Sequence, residues 1–184
     1  MKIIRTPRLI IKSLQVDDIS NNYIEWLNDV EVNKYLETRF QVQSYESCVE
    51  FVNRKQEDES EELLGVFTKN NNKHIGNCKL GDIKKFHHTA EISYLIGDKS
   101  YWGSGYATEI VSHVIQYGFE NLGLEKIIAG CYELNISSIN VLKKNGFKVE
   151  GILKEQVEFD SIRENVCILS VRKNKKERVL KKPS

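Results

Sequence analysis

Residues 90–122, AEISYLIGDKSYWGSGYATEIVSHVIQYGFENL, constrain this chain more than any other stretch. Residues 90–96 alternate and carry β-branched and aromatic side chains, the pattern of a half-buried strand. From Ala107 the apolar residues fall at 107, 110, 111, 114, 115, 118/119 and 122, one face of a helix that Gly123 is placed to stop. Between the two, Tyr101-Trp102-Gly103-Ser104-Gly105-Tyr106-Ala107 puts small residues where the backbone turns into the helix. A helix start offers free N–H groups and the positive end of the dipole. A loop that lets the backbone approach closely turns that start into an anion cradle suited to phosphate.

The rest of the chain extends the pattern in both directions. Residues 9–14 read as a first strand, and Asp17 or Asp18 caps a helix running to about Leu27. Asn28-Asp29 breaks it, and residues 30–36 read as a second short helix. Ser44 caps a further helix with Cys48, Phe51, Val52 and Lys55 at helical spacing, and the acidic run 56–62 reads as its solvated end. Residues 63–68 and 73–80 form a hairpin across Asn70-Asn71-Asn72, in which Gly76 marks a bulge or a close backbone approach. Phe86-His87-His88 reads as a solvated loop. Residues 125–132 form another strand, Asn135 caps a helix that Gly146 ends, and 147–151, 152–159 and 165–171 supply the last strands.

Length and charge point to one α/β domain over residues 1–171, followed by a basic, solvated tail at 172–184. That tail holds seven Lys or Arg against one Glu, leaving 20 basic against 25 acidic residues in the body. A mildly acidic body argues against a nucleic-acid binder. No apolar run is long enough to span a bilayer, and no Cys/His spacing suggests a metal. Cys48, Cys78, Cys131 and Cys167 are widely spaced in apolar contexts, which reads as buried reduced thiols and a cytoplasmic home.

Two motifs and an opening strand carry a family resemblance. After A-E-I-S-Y-L-I-G, the segment W-G-S-G-Y-A-T-E resembles the acetyl-CoA loop of the GNAT family of N-acetyltransferases, usually written Q/R-x-x-G-x-G/A. Trp102 stands where many members carry Gln or Arg. Downstream, residues 135–147, NISSINVLKKNGF, resemble the family's N-x-x-S-x-x-[VL]-L-x-K-x-G-F segment. The opening Thr6-Pro7-Arg8-Leu9 is similar to the T-x-R-L first strand of the branch that includes ribosomal-protein N-terminal acetyltransferases.

The resemblance implies a mixed, mostly antiparallel twisted sheet flanked by helices, with a central parallel strand pair that splays apart. It implies acetyl-CoA as co-substrate and a primary amine as acceptor: a protein N-terminus, or a small amine such as an amino sugar nucleotide. Trp102, Gly103, Ser104, Gly105, Tyr106, Ala107 and Thr108 would form the cofactor loop, and Tyr94, Leu95 and Ile96 would align the pantetheine. Asn135, Ser138 and Lys143 match cofactor-contacting positions, with a helix cap or a solvated side chain as the plain alternative. Residues 15–45 cover the acceptor side, where Tyr23, Trp26, Tyr35 and Phe40 are either core or pocket lining.

Amine acetylation also needs a base, because an ammonium ion has no lone pair. Glu91 on the central strand is the first candidate, with a structural carboxylate as its alternative, followed by Glu155 and Glu133. A proton must reach the departing thiolate. Many relatives place a Tyr where this chain has Leu142, so Tyr132, Ser138 or solvent takes that part. A dinucleotide fold fits less well, since Thr108 replaces the third glycine of G-x-G-x-x-G. The missing G-K-[ST] excludes a P-loop. A CoA-binding sensor without turnover is the remaining alternative, and the protein would work as a monomer or homodimer.

Overall fold

The computed structural model describes residues 3–174. One eight-stranded sheet runs in the order β1 (Ile3–Arg5), β2 (Leu9–Ser13), β3 (Glu62–Thr68), β4 (His74–Lys84), β5 (Thr89–Ile96), β6 (Lys126–Tyr132), β8 (Ile162–Arg172) and β7 (Lys148–Phe159). Neighbours are antiparallel except the central pair, β5 and β6, which is parallel. The crossover between those two is helix α3 (Tyr106–Glu120), the connection a parallel pair requires.

Helices cover both faces of the sheet. Leu63 and Leu64 are neighbours on β3 yet belong to different apolar clusters, because successive side chains leave a strand on opposite faces. Leu64 packs in the cluster that holds Ile110, Val111 and Val114 of α3 with Ile139 and Leu142 of α4 (Ile136–Lys144). Leu63 belongs with Tyr23, Trp26 and Leu27 of α1 (Asn21–Asn28) and with Cys48 and Val52 of α2 (Tyr45–Glu57). Ile110, Val111 and Val114 are fully buried, each worth about 1.5–3 kcal/mol in apolar transfer. That stripe fixes the rotation of α3 and so the direction in which its N-terminus points.

Gly76 is a close approach, as its position in the hairpin suggests: a Cβ there would lie 2.1 Å from the Leu95 carbonyl oxygen. The β3–β4 register also shifts opposite it, between Val66 and Phe67. The four cysteines are free and buried, and burial pushes the Cys78 thiol up to about 12. Among the described residues no helix is long and apolar enough to cross a membrane.

Several local expectations need correction. Asp18 does not cap α1; it closes a 3-10 turn at Val16–Asp18 and pairs with Lys12 at 2.7 Å, while Ser20 caps the helix through Tyr23 N–H. Residues 30–36 are not helical. The Asp29 carboxylate accepts from the amides of Glu31 and Val32, and the Asn33 side chain donates to Leu27 O. Such side-chain bonds compete with a helix for the backbone. A 3-10 turn follows at Glu37–Phe40.

At the other end, residues 147–151 and 152–159 are not two strands. They merge into β7, whose register breaks between Val149 and Gly151 and between Leu153 and Val157. Residues 9–14 are preceded by β1, so they supply the second strand. The body also runs past 171: Arg172 pairs with Lys126, and Lys173 N–H donates to Glu125 O. The remainder of the expected tail, residues 175–184, lies outside the described residues.

Candidate active site

The glycine turn stands at the start of α3, where the sequence places it. Gly103 and Gly105 have φ of +69° and +79°, a region where a side chain is strained. A Cβ on Gly103 would meet nothing within 4 Å, so the surface above the loop is open. Gly105 is the N-cap of α3, and the first helical bond runs from Glu109 N–H to Gly105 O. The amides of Tyr106, Ala107 and Thr108 are therefore left without helical acceptors at an exposed loop, the arrangement that binds anions. Trp102 turns back toward the sheet, its indole N–H donating to Ile96 O at 2.8 Å.

That loop sits beside a gap in the sheet. β5 and β6 pair only at Thr89–Lys126, Ala90–Ile127 and Glu91–Ile128, although the strands continue to Ile96 and Tyr132. Gly97 N–H donates to Ile75 O. The alternation of an antiparallel ladder then turns the backbone groups of Ile92, Tyr94 and Ile96 away from β4, toward the gap. Leu95 falls in the opposite phase; its backbone faces β4 and its side chain packs toward α1 and α2. Glu91 stands where the strands begin to part. It is exposed, and no hydrogen bond or ion pair holds it among the described residues. Lys84 is a charge near it.

The Tyr94 side chain spans the gap to α4. Its hydroxyl lies 2.7 Å from Ser138 Oγ and donates to Ser138 O at 3.2 Å. Burial, more than any neighbouring charge, raises its pKa, so Tyr94 stays a neutral phenol. Ser138 is itself held by Asn135, whose Oδ1 accepts from Ser138 N–H at 3.1 Å while capping α4. Lys143 is exposed on the same helix, and Leu142 is buried in the core with no hydroxyl to offer. Tyr94→Phe is expected to cost about 1–2 kcal/mol, one part-buried hydrogen bond, read as a fall of several degrees in the thermal midpoint.

This parted parallel pair with a glycine-turned helix beside it can be set against known proteins. The family model for an acetyltransferase (GNAT) domain matches residues 8–148. The chain belongs to the GNAT acetyltransferase family. It is 32% identical over 155 residues to the uncharacterized N-acetyltransferase YnaD of Bacillus subtilis (strain 168), covering 83% of this chain and 86% of that one. In fold it is similar to spermidine N-acetyltransferase from Vibrio cholerae, solved with CoA and spermine, at a TM-score of 0.80, 22% identity, and coverage of 89% and 95%. It is also similar to RimL, a ribosomal L7/L12 α-N-protein acetyltransferase solved with CoA, at a TM-score of 0.82, 16% identity, and coverage of 93% and 98%.

In this GNAT domain the 29–42 segment closes the far side of the gap. Tyr132, at the end of β6, donates its hydroxyl proton to Glu37 Oε1 at 2.8 Å and accepts from Arg39 Nη2 at 3.0 Å. Burial first, and Glu37 besides, raise its pKa. Its proton is thus committed to Glu37. Arg39 also donates to Leu36 O and Glu158 O, tying the segment to β7. Tyr35 stacks on Phe159 at 5.5 Å and meets Tyr132 edge-on at 5.7 Å. A cavity of about 650 Å³ opens between this segment and the β7–β8 turn, lined in part by Lys34, Arg39, Phe40, Glu158 and Phe159. It includes neither Glu91 nor the glycine loop.

The other sequence candidates divide by place. Tyr23 and Trp26 are buried under the sheet with His74, so they are core, whereas Phe40 is largely exposed at the cavity. Glu133 accepts from the Asn165 side chain at 2.6 Å, and Glu155 is exposed on bulged β7 with φ of +50°. His87 and His88 are exposed in the β4–β5 turn, where His88 O accepts from Glu125 N–H. Sequence reasoning missed Glu37, Arg39 and Phe159; Glu37 and Arg39 reach Tyr132 across 95 and 93 residues, and Phe159 stacks on Tyr35 across 124.

Proposed function

We propose that this protein transfers acetyl from acetyl-CoA to a primary amine by direct attack within a ternary complex. The single observation that carries the reading is the parting of β5 from β6 beyond Glu91, directly beside the open amides at the start of α3. The pyrophosphate lies on the 103–108 loop, and the pantetheine runs along the gap-facing edge of Ile92, Tyr94 and Ile96. Free backbone N–H groups on that edge steady the oxyanion as it forms. Asn135, Ser138 and Lys143 of α4 face the same cofactor.

Glu91, exposed where the strands part, takes the proton from the incoming ammonium directly or through a water. Ser138 Oγ or solvent supplies the proton for the thiolate. A thiol of ordinary pKa near ~8.5 is a tolerable leaving group, so no strong acid is needed. Tyr132, whose hydroxyl donates to Glu37, is placed to shape the acceptor side.

The acceptor enters past the 29–42 segment. Relatives in fold include enzymes named for spermidine and for a protein N-terminus. The cavity here presents Lys34 and Arg39 beside Glu158 and aromatic surface, a mixed lining that favours a peptide-like acceptor over a bare polycation. Initial rates with acetyl-CoA decide between them, with spermidine, spermine, short peptides bearing free N-termini and amino sugar nucleotides as acceptors. A peptide preferred by tenfold or more in kcat/KM is the expected result, and a polyamine preferred by that margin overturns the assignment.

A further inference from the structure

Arg8 reaches the glycine loop from the start of β2, across 96 residues of sequence. Its Nη1 donates to Ser104 O at 2.9 Å, while its Nε donates to Glu109 Oε2 at 2.6 Å and its backbone N–H to Glu109 Oε1 at 2.9 Å. The guanidinium carbon lies over the Tyr106 ring, 3.9 Å from the centroid. Thr6 completes the brace by donating its hydroxyl to Glu109 Oε1. The remaining nitrogen, Nη2, makes no hydrogen bond among the described residues and lies 3.8 Å from where a Cβ on Gly105 would sit. Arg8 keeps 42% of its side-chain surface exposed, against 10% for Glu109.

We infer that Arg8 is a positioning residue for the cofactor, orienting the loop through Ser104 and presenting Nη2 to the pyrophosphate of acetyl-CoA. This rests on the reading that CoA phosphates lie on the 103–108 loop. Two physical arguments carry it. The peptide between Ser104 and Gly105 is planar and trans, so its C=O and N–H point in opposite directions. Holding Ser104 O toward Arg8 therefore fixes the orientation of that peptide and of Gly105 N–H with it. A carbonyl flipped into the cradle would instead face the phosphate oxygens.

The second argument is charge. Glu109 sits in the first turn of α3, close to where a dianion must bind. Burial works to raise its pKa, but the bonds from Thr6 and Arg8 prevail and hold it below its ordinary value. It stays ionised, and its charge opposes the phosphate unless a cation answers it. Arg8 answers it with a planar fork that Lys cannot reproduce, leaving one donor over for the ligand. In this chain Trp102 is turned back to Ile96 O, and Arg8 brings a guanidinium to the loop.

The test compares CoA with pantetheine, which lacks the pyrophosphate and the 3′-phosphoadenosine beyond it. Binding of both would be titrated to the full-length wild type, Arg8→Gln and Arg8→Lys, with kcat and KM for acetyl-CoA and acetylpantetheine. Arg8→Gln should weaken CoA binding at least tenfold, roughly one charge-assisted hydrogen bond. Pantetheine binding and kcat at saturating acetyl-CoA should stay within twofold. Arg8→Lys should fall between, since it keeps the charge and loses the fork. Equal weakening toward CoA and pantetheine, or unchanged CoA affinity, overturns the inference. If Arg8→Gln does not fold, Arg8→Lys decides by the same ratio. A wild type that binds CoA no better than pantetheine overturns the loop reading itself.

Discussion

Gly105→Glu should weaken CoA binding about 30- to 150-fold, the equivalent of about 2–3 kcal/mol or two charge-assisted contacts, while the fold survives. Gly105 takes φ of +79° at the exposed N-cap of α3, and a Cβ there meets only Arg8 Nη2, at 3.8 Å. The substitution clashes with nothing in the core, and its strain of about 1–2 kcal/mol stays local. The effect on binding comes from charge. A carboxylate would stand where the proposed cradle holds the pyrophosphate and would draw Arg8 onto itself. Gly105→Ala separates the causes, since it carries the strain without the charge and should lose no more than about tenfold. Calorimetric titration with CoA checks both. Unchanged affinity in Gly105→Glu would move the cradle elsewhere.

Glu91→Gln is expected to lower kcat by at least tenfold at pH 7 and to recover part of that loss as pH rises. A general base is typically worth ~10²–10⁴ in rate. An amine acceptor arrives mostly protonated near neutrality, so the base matters most there. In alkali the acceptor arrives already neutral, and the missing carboxylate costs less. Gln keeps the shape of Glu91, which no hydrogen bond or ion pair holds among the described residues, so stability and CoA affinity should hold. A loss that is the same at every pH, or a variant that fails to fold, would assign Glu91 a structural part. Glu155 and Glu133 would then be tested in turn.

Legibility of the chain tracked the sequence distance over which each feature is specified. The strand, turn and helix over 90–122 were readable because alternation, helical period and glycine chemistry are local signals. The helix caps at Ser44 and Asn135 were readable for the same reason. The 30–36 segment misled because its apolar spacing suits a helix, while Asp29 and Asn33 spend their side chains on backbone groups instead. β7 reads as two strands in sequence because Gly151 and Glu155 disturb its period at bulges, where an extra residue flips the face.

Within the candidate site, the loop and Glu91 could be named from sequence, but their supports could not. Arg8 reaches Ser104 across 96 residues, and Tyr132 reaches Glu37 across 95. No local pattern encodes such pairs. The hydroxyl of Tyr94 is a case in between. The strand placed it correctly, yet its contact with Ser138 depends on where α4 docks.

The most direct measurement mixes the protein with acetyl-CoA carrying a labelled acetyl group, first alone and then with a reactive amine, and follows released CoA thiol, labelled amine and labelled protein together. Direct transfer from the gap between β5 and β6 predicts little thiol without amine. With amine present, thiol and N-acetyl product should appear in equal amounts at the same rate, with no labelled protein. Labelled protein that forms before product would contradict direct attack, and tight CoA binding with no product from any amine would make the protein a CoA sensor.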